Sequence, residues 1–305
     1  MITIATSIAP FNIECQKNAI KTWMNMGFKV ISINASDEIE KVSPHFPEVR
    51  FHVASRDGRD RYGKPVIYIN DVLTILAGCD TQICGIVNSD ICLHVGDTEK
   101  FISFLTAEAK SSLVFGSRIN TTSEDERKGN EYDGGFDYFF FDKEIIPLYK
   151  QSNFCFGIPW WDFWFPLTAH LDGIAIKRLA SPVAYHVEHG DRWNPKEWER
   201  RGKECIEYFF NNYKNSDFCK NLKKYRQLKS HARWAWIPLR YEAKTIFFSQ
   251  LDEKVDIVCI SRSQYEQSEN LSRKMIEENI KKTVKWRIFR YIKKKIDKSL
   301  RKKKS

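Results

Sequence analysis

Residues 84–94 read Cys-Gly-Ile-Val-Asn-Ser-Asp-Ile-Cys-Leu-His, an apolar run broken by three small polar residues before apolar residues resume. Cys84 to Val87 has the make-up of a buried strand, and Ile91 to Leu93 is apolar again. A bare carboxylate at the rim of a sheet is costly unless a hydrogen-bond network or a cation balances it. Asn88-Ser89-Asp90 therefore admits two readings: a turn that closes a strand, or a strand end that delivers a carboxylate to a cation. The flanking sequence bears on the choice.

Upstream, strands and helices alternate. Ile2 to Ser7 is a short apolar strand ending in small polar residues, and Ile13, Ala19, Ile20, Trp23, Met24 and Met26 recur at helical spacing. Gly27 is a helix stop, Phe28 to Ile33 a second strand and Val49 to Val53 a third. Residues 55–65, SRDGRDRYGKP, form a polar loop, and Val66 to Cys79 a further apolar helix. Such alternation predicts a parallel sheet with ligands at the C-terminal ends of its strands. Thr6-Ser7, Asn34 and Asn88-Ser89-Asp90 should then share one rim.

Downstream the pattern changes. Leu113 to Ser117 reads as a strand, 118–133 as a polar loop, and GGFDYFFFDKEIIPLY (134–149) as a strand running into a helix with Asp142 at its N-cap. Residues 157–167, GIPWWDFWFPL, are heavily aromatic. In 181–199 a strand ends and a helix begins, with Asn194 as N-cap, Pro195 at the first helical position and Glu197 closing a capping box. Residues 200–250 read as mainly helical, and Val255 to Ile260 is an apolar run without an evident place.

The chain has 305 residues, 42% of them apolar, enough for one sizeable core. It holds no apolar run of membrane-spanning length, and its first residues lack the pattern of a secretory signal. The eight cysteines are scattered and form no Cys-x-x-Cys pair, so they read as reduced core residues of a cytosolic protein. The formal net charge is +10, but residues 281–304 hold thirteen Lys or Arg against Asp297 alone. That segment carries +12 and leaves residues 1–280 at −2, so nucleic acid is not an expected partner of the body.

Asp162 lies between Trp161 and Phe163-Trp164. Desolvation among aromatics raises a carboxyl pKa toward the range of a general base, and the ring faces offer platforms for sugars. The other reading is a helix N-cap following Pro159, with the tryptophans in the core.

In order along the chain, TSIAPFN after the first strand, NSD after the fourth, GGFDYFFF, WWDFW and YHVEHGDRW resemble the GT-A-type nucleotide-sugar glycosyltransferases of bacterial surface-polysaccharide type. The Asp-x-Asp motif appears here as Asn88-Ser89-Asp90, and the resemblance covers most of residues 1–190. It implies a Rossmann-like mixed α/β sheet flanked by helices in 1–190; beyond it, the pattern and charge of the sequence predict a mostly helical extension over 191–270 and a basic amphipathic tail over 271–305. The resemblance also implies Mn²⁺ or Mg²⁺, held by Asp90 and by a histidine beyond the acceptor region, His186 or His189, to neutralise the donor's diphosphate. Asn88 would meet ribose or a water, with Ser89, Thr6, Ser7 and Asn34 on the nucleotide side. Asp137 would take donor-sugar hydroxyls while Gly134-Gly135 let the backbone approach the diphosphate. Asp57 would face uracil or ribose, and an arginine of the same loop, Arg61 among Arg56 and Arg59, the diphosphate. Asp162 occupies the place of the carboxylate that deprotonates the acceptor in inverting members. For each of these positions a plain structural role stays open: turn, solvated loop charge or satisfied histidine.

In the tail, Val284, Ile288, Ile292, Ile296 and Leu300 recur every four residues against a face of Lys and Arg. A basic amphipathic helix of this kind binds an anionic membrane surface, each basic residue contributing about 1 kcal/mol. The alternatives are a solubilising tail or a nucleic-acid arm. Together these readings predict a cytoplasmic enzyme on the inner face of the cell membrane, moving sugar to a glycan or lipid-linked glycan. A catalytically inactive glycan- or nucleotide-binding module is the rival, favoured by Asn88. A nucleotidyltransferase would need a Gly- and Lys-rich phosphate loop after the first strand, and TSIAPFN has none.

Overall fold

The computed structural model describes residues 1–123, 127–132, 134–179, 181–188, 195–227, 236–249 and 251–252. The basic tail, the run 255–260, His189 and Asn194 lie outside the described residues.

The first half follows the βα pattern. Strand β1 (Thr3–Thr6) leads to α1 (Ile13–Asn25), β2 (Lys29–Asn34), α2 (Ser36–Val42) and β3 (Arg50–Val53). A short turn of helix α3 (Arg59–Tyr62), α4 (Ile69–Ala77), β4 (Ile83–Val87) and the brief β5 (Cys92–Leu93) follow. Helix α1 stops where expected: Gly27 adopts φ 82°, and its N–H caps Met24 O at 2.8 Å. The second half comprises α5 (Thr98–Glu108), β6 (Ser112–Gly116), β7 (Ile119–Thr121), β8 (Asn130–Glu131) and β9 (Tyr138–Asp142). After it come α6 (Trp161–Leu171), β10 (Ala175–Leu179), β11 (Ala184–Val187), α7 (Pro195–Asn212), α8 (Asp217–Gln227), α9 (Trp236–Ser249) and β12 (Leu251–Asp252). Asp142 caps as expected, accepting from Glu144 N at 3.0 Å, but the turns it caps are 3₁₀ rather than α, with Pro147 inside them.

The protein is a mixed α/β sheet flanked by helices, with a mainly helical C-terminal portion. The main sheet runs β12-β10-β6-β9-β4-β1-β2-β3. Every neighbouring pair is parallel except those of β9, which runs antiparallel to both β4 and β6. A second sheet, β5-β11-β7-β8, is drawn from residues of the polar loop and from both sides of α6. A buried Arg178–Glu131 ion pair ties β10 to β8.

The pleat sorts the core. Alternate side chains of a strand point to opposite faces, so Phe139 and Phe141 enter one apolar cluster while Tyr138 and Phe140 enter the other. Cys84 and Ile86 oppose Ile83 and Val87 in the same way, as do Leu113 and Phe115 against Val114. Ala19, Ile20 and Trp23 of α1 with Phe101 and Leu105 of α5 close one face. On the other, α4 and α6 are joined by Trp198, Phe209, Phe218, Leu222 and Phe247 of the C-terminal helices. Strands covered on both sides need apolar side chains at every position, which is why β4 and β9 read as unbroken apolar runs. Among the described residues no helix is long and apolar enough to cross a membrane.

Order reverses at β1: the chain passes from β1 outward to β2 and β3, then returns to place β4 on the other side. Ligands of open α/β sheets bind beyond the carboxyl ends of strands at such a switch point. Because β9 is antiparallel, its beginning, rather than its end, meets this rim.

Candidate active site

The polar triplet sits at that rim. Asn88 N donates to Asp137 O at 3.0 Å, its side-chain Nδ2 to Asp137 Oδ1 at 3.1 Å, and its carbonyl accepts from Ile91 N at 3.1 Å, closing a turn. Ser89 Oγ donates to Gln16 Oε1 at 2.8 Å. Gln16, buried on α1, accepts from Ala9 N at 2.8 Å and donates to Ala9 O and Phe11 O, so one amide pins the β1–α1 loop beside the triplet. The first two residues are thus fixed by the fold, and the third projects. Asp90, with its side chain 32% exposed, lies 3.4 Å from Nε2 of buried His186 on β11.

Below this pair lies a second carboxylate. Asp137 precedes β9 and is 2% exposed. Its Oδ1 receives both Asn88 Nδ2 and, at 2.6 Å, Arg118 Nη1, while among the described residues Oδ2 has no hydrogen-bond partner. Arg118 is locked further by Nε donating to Asn120 Oδ1 at 2.9 Å and by the Tyr132 ring 3.9 Å beneath its guanidinium. Burial works against this cation, and the Asp137 charge more than offsets it, so Arg118 stays protonated.

Asp162 lies in the first turn of α6, after Trp160 in the left-handed region at φ 84°. Its Oδ2 accepts from Phe136 N at 3.0 Å. Burial is the main effect on this carboxyl, opposed by the Phe136 N–H and reinforced by the Asp137 charge, and it is pushed up to about 7. Burial likewise pushes the Tyr132 hydroxyl up to about 12. The neighbouring glycines explain how so many polar groups fit. A Cβ on Gly135 would overlap Asp162 Oδ2, and one on Gly134 would overlap the Tyr132 ring. The positions a Cβ would take on Gly134 and Gly135 are thus occupied by the Tyr132 and Asp162 side chains. Gly135→Ala should therefore expel the carboxylate and cost the site's function at least about 100-fold, with the Asp162 pKa returning toward 4 in a titration followed by NMR. An unchanged Asp162 titration would refute this account.

The tryptophans do not serve as exposed platforms. Trp160, Trp161, Phe163 and Trp164 are buried, and Trp160 Nε1 donates to Trp198 O at 2.9 Å. The rings pack on Phe136, Phe139 and Phe154, because a helix whose rings line the sheet face gains more from the core than from solvent. They supply the desolvation of Asp162 instead.

Other rim residues take supporting positions. Thr6 and Asn34 are fully enclosed. Asn34 Nδ2 donates to Ile8 O at 2.8 Å and its Oδ1 accepts from Ser32, bracing the loop that carries part-exposed Ser7. Asp57 is bound to Arg59, which also reaches Asp37 at the start of α2. Arg56 pairs with Asp71, and Arg61 pairs with Glu204 of α7 at 3.1 Å. Among the described residues no group of three His, Cys, Asp or Glu converges on a metal position. The Asp90 oxygen and the His186 nitrogen are the pair that meets. Their chemistry fits a divalent cation whose remaining ligands are phosphate and water oxygens, since such cations are bound by one or two protein groups beside a substrate phosphate.

No protein-family model matches the chain, and no curated protein does. Solved structures similar to it include S. aureus TarS 1–349, with a TM-score of 0.44 at 10% identity over 71% of this chain and 66% of that one. A longer S. aureus TarS chain gives 0.45 at 10% identity, over 74% of this chain and 42% of that one. HddC from Yersinia pseudotuberculosis complexed with GMP-PN gives 0.34 at 10% identity, over 68% and 98% respectively. The chain spans less than two thirds of either TarS structure. Likeness at this level carries no argument about activity.

Three residues of this rim are absent from the sequence reading: Arg118, Tyr132 and Gln16. Arg118 follows the strand-ending Gly116-Ser117 just as Asp90 follows Val87, and that position was the available signal. Tyr132 and Gln16 gave none, because one sits in a polar loop and the other is a polar position on an amphipathic helix.

Proposed function

We propose that this protein is a glycosyltransferase that moves a sugar from a nucleotide-diphosphate donor to a glycan or lipid-linked glycan acceptor, with inversion. The observation that carries this reading is the Asp162 carboxyl, held at about 7 and joined through Phe136 and Asp137 to the turn that bears Asp90. A proton acceptor with that pKa is half ionised at neutral pH, which suits removal of a proton from an acceptor hydroxyl. Asp162 takes this proton as the acceptor oxygen bonds to the anomeric carbon and the bond to the diphosphate oxygen breaks. Asp90 and His186 would hold Mn²⁺ or Mg²⁺, which when bound neutralises charge on the departing diphosphate. Ser7, Asn88 and Ser89 would line the nucleotide side, with Thr6 and Asn34 supporting them from below. Asp137 would brace the donor side through Asn88 and Arg118, while Asp57 would face uracil or ribose and Arg61 the diphosphate.

The deciding experiment incubates the full chain with Mn²⁺, a panel of nucleotide sugars and bacterial glycolipid acceptors. Transfer with a changed anomeric configuration supports the reading. Nucleotide binding without hydrolysis or transfer would replace it with the binding-module reading.

The segment 281–304 would bind the anionic inner face of the cell membrane, which supports a cytoplasmic, membrane-peripheral location. Deleting it should abolish sedimentation with phosphatidylglycerol vesicles in low salt and leave transfer to a soluble acceptor unchanged. Equal sedimentation of both forms would remove the membrane role.

A further inference from the structure

A rim holding Asp90, Asp137 and, above about pH 7, ionised Asp162 presents up to three negative charges to a ligand that is itself polyanionic. One divalent cation does not balance such a set. The first position of the triplet is a neutral asparagine committed to Asp137 Oδ1, so it adds no charge of either sign. Arg118 is a cation built into this rim. Three of its contacts immobilise it: Nη1 on Asp137, Nε on Asn120, and the Tyr132 ring against its flat face. Among the described residues its remaining nitrogen, Nη2, has no hydrogen-bond partner, and the side chain keeps 18% of its surface exposed. The Asp90 charge acts on this guanidinium, which places Arg118 and Asp90 in one electrostatic field.

A guanidinium held in this way loses little conformational freedom when it binds an anion, and its planar fork suits phosphate oxygens. We propose that Arg118 is an anion-binding residue whose free Nη2 hydrogen-bonds a phosphate oxygen of a diphosphate-bearing ligand at this rim. The inference rests on the donor reading above and assigns part of the diphosphate's neutralisation to protein rather than metal. Asp137 then acts as a positioning residue: it fixes the guanidinium and weakens its pull on the ligand, because one charge serves two partners.

The test is calorimetric titration of inorganic pyrophosphate into the full chain, with and without Mn²⁺, using circular dichroism to verify folding of each variant. Arg118→Met should weaken binding at least about 10-fold, the scale of one lost charge-assisted hydrogen bond. Arg118→Lys should recover part of the loss, because the charge returns without the fork. Asp137→Asn should tighten binding, since the guanidinium is released from its counter-charge. Should Arg118→Met fold poorly with Asp137 left unpaired, the double variant Arg118→Met/Asp137→Asn removes both charges and should bind at least about 10-fold more weakly than Asp137→Asn, the background that differs from it only at Arg118. Pyrophosphate affinity in that double variant equal to that of Asp137→Asn would overturn the proposal. If Asp90→Ala at the same time abolishes binding, the donor reading survives without Arg118. If the wild-type chain binds no pyrophosphate under any condition, both fall.

Discussion

Asp162→Asn is expected to lower turnover by about 10²- to 10⁴-fold, the range for loss of a positioned general base, while leaving the donor KM near its original value. Asparagine keeps the volume of the side chain and can still accept from Phe136 N, so the variant separates loss of the base from loss of the fold. In the wild type, kcat/KM should rise as pH passes through about 7, because the carboxyl must be ionised to take a proton. The same group fixes the sign of a stability effect. The folded protein keeps the Asp162 proton up to about 7, whereas an unperturbed aspartate releases it near 3.8. Between those values the folded state binds more protons than the unfolded chain, so this contribution to stability is full below about pH 4 and is lost as pH rises through 7. Asparagine does not ionise. Thermal melts from pH 5 to pH 8 should therefore show the wild type losing stability relative to Asp162→Asn. Parallel melting curves, or a rate that does not change between pH 6 and pH 8, would remove Asp162 as the base.

Asp90→Ala is expected to reduce turnover at least about 100-fold, comparable to removing a principal group that stabilises developing charge. It should also raise the Mn²⁺ concentration needed for half-maximal binding of a nucleoside diphosphate, read independently of turnover by the electron paramagnetic resonance signal of free Mn²⁺. His186→Ala should act in the same direction with a smaller loss, because an imidazole nitrogen brings a cation no negative charge, whereas the Asp90 carboxylate does. Unaltered Mn²⁺ binding in Asp90→Ala would sink the cation assignment, while the Asp162 prediction would stand on its own.

These two residues differ in how visible they were from sequence. Asp90 could be found because it breaks an apolar run at the end of a strand, and a strand's end is fixed by local pattern. Asp162 was visible as a carboxylate among rings, but whether those rings would face a ligand or the core depended on which sheet face α6 covers. The core took them, and this burial is what raises the carboxyl. The encounter of Asp90 with His186, and of Asp137 with Arg118, joins residues distant in sequence through strand pairings that no local spacing encodes.

The amino-acid sequence by itself determined the alternation of strands and helices to β4, the polar residues that close those strands, and the basic excess of the last segment, because each follows from short-range periodicity or composition. Only the tertiary structure decided that β9 runs antiparallel between β4 and β6, which carries Asp137 to the rim rather than to the far edge. It likewise decided that 118–133 contributes strands and a locked arginine rather than a solvated loop. The reason is physical: periodicity records which side of an element meets the core, whereas charge pairing and desolvation depend on which elements the completed sheet sets side by side.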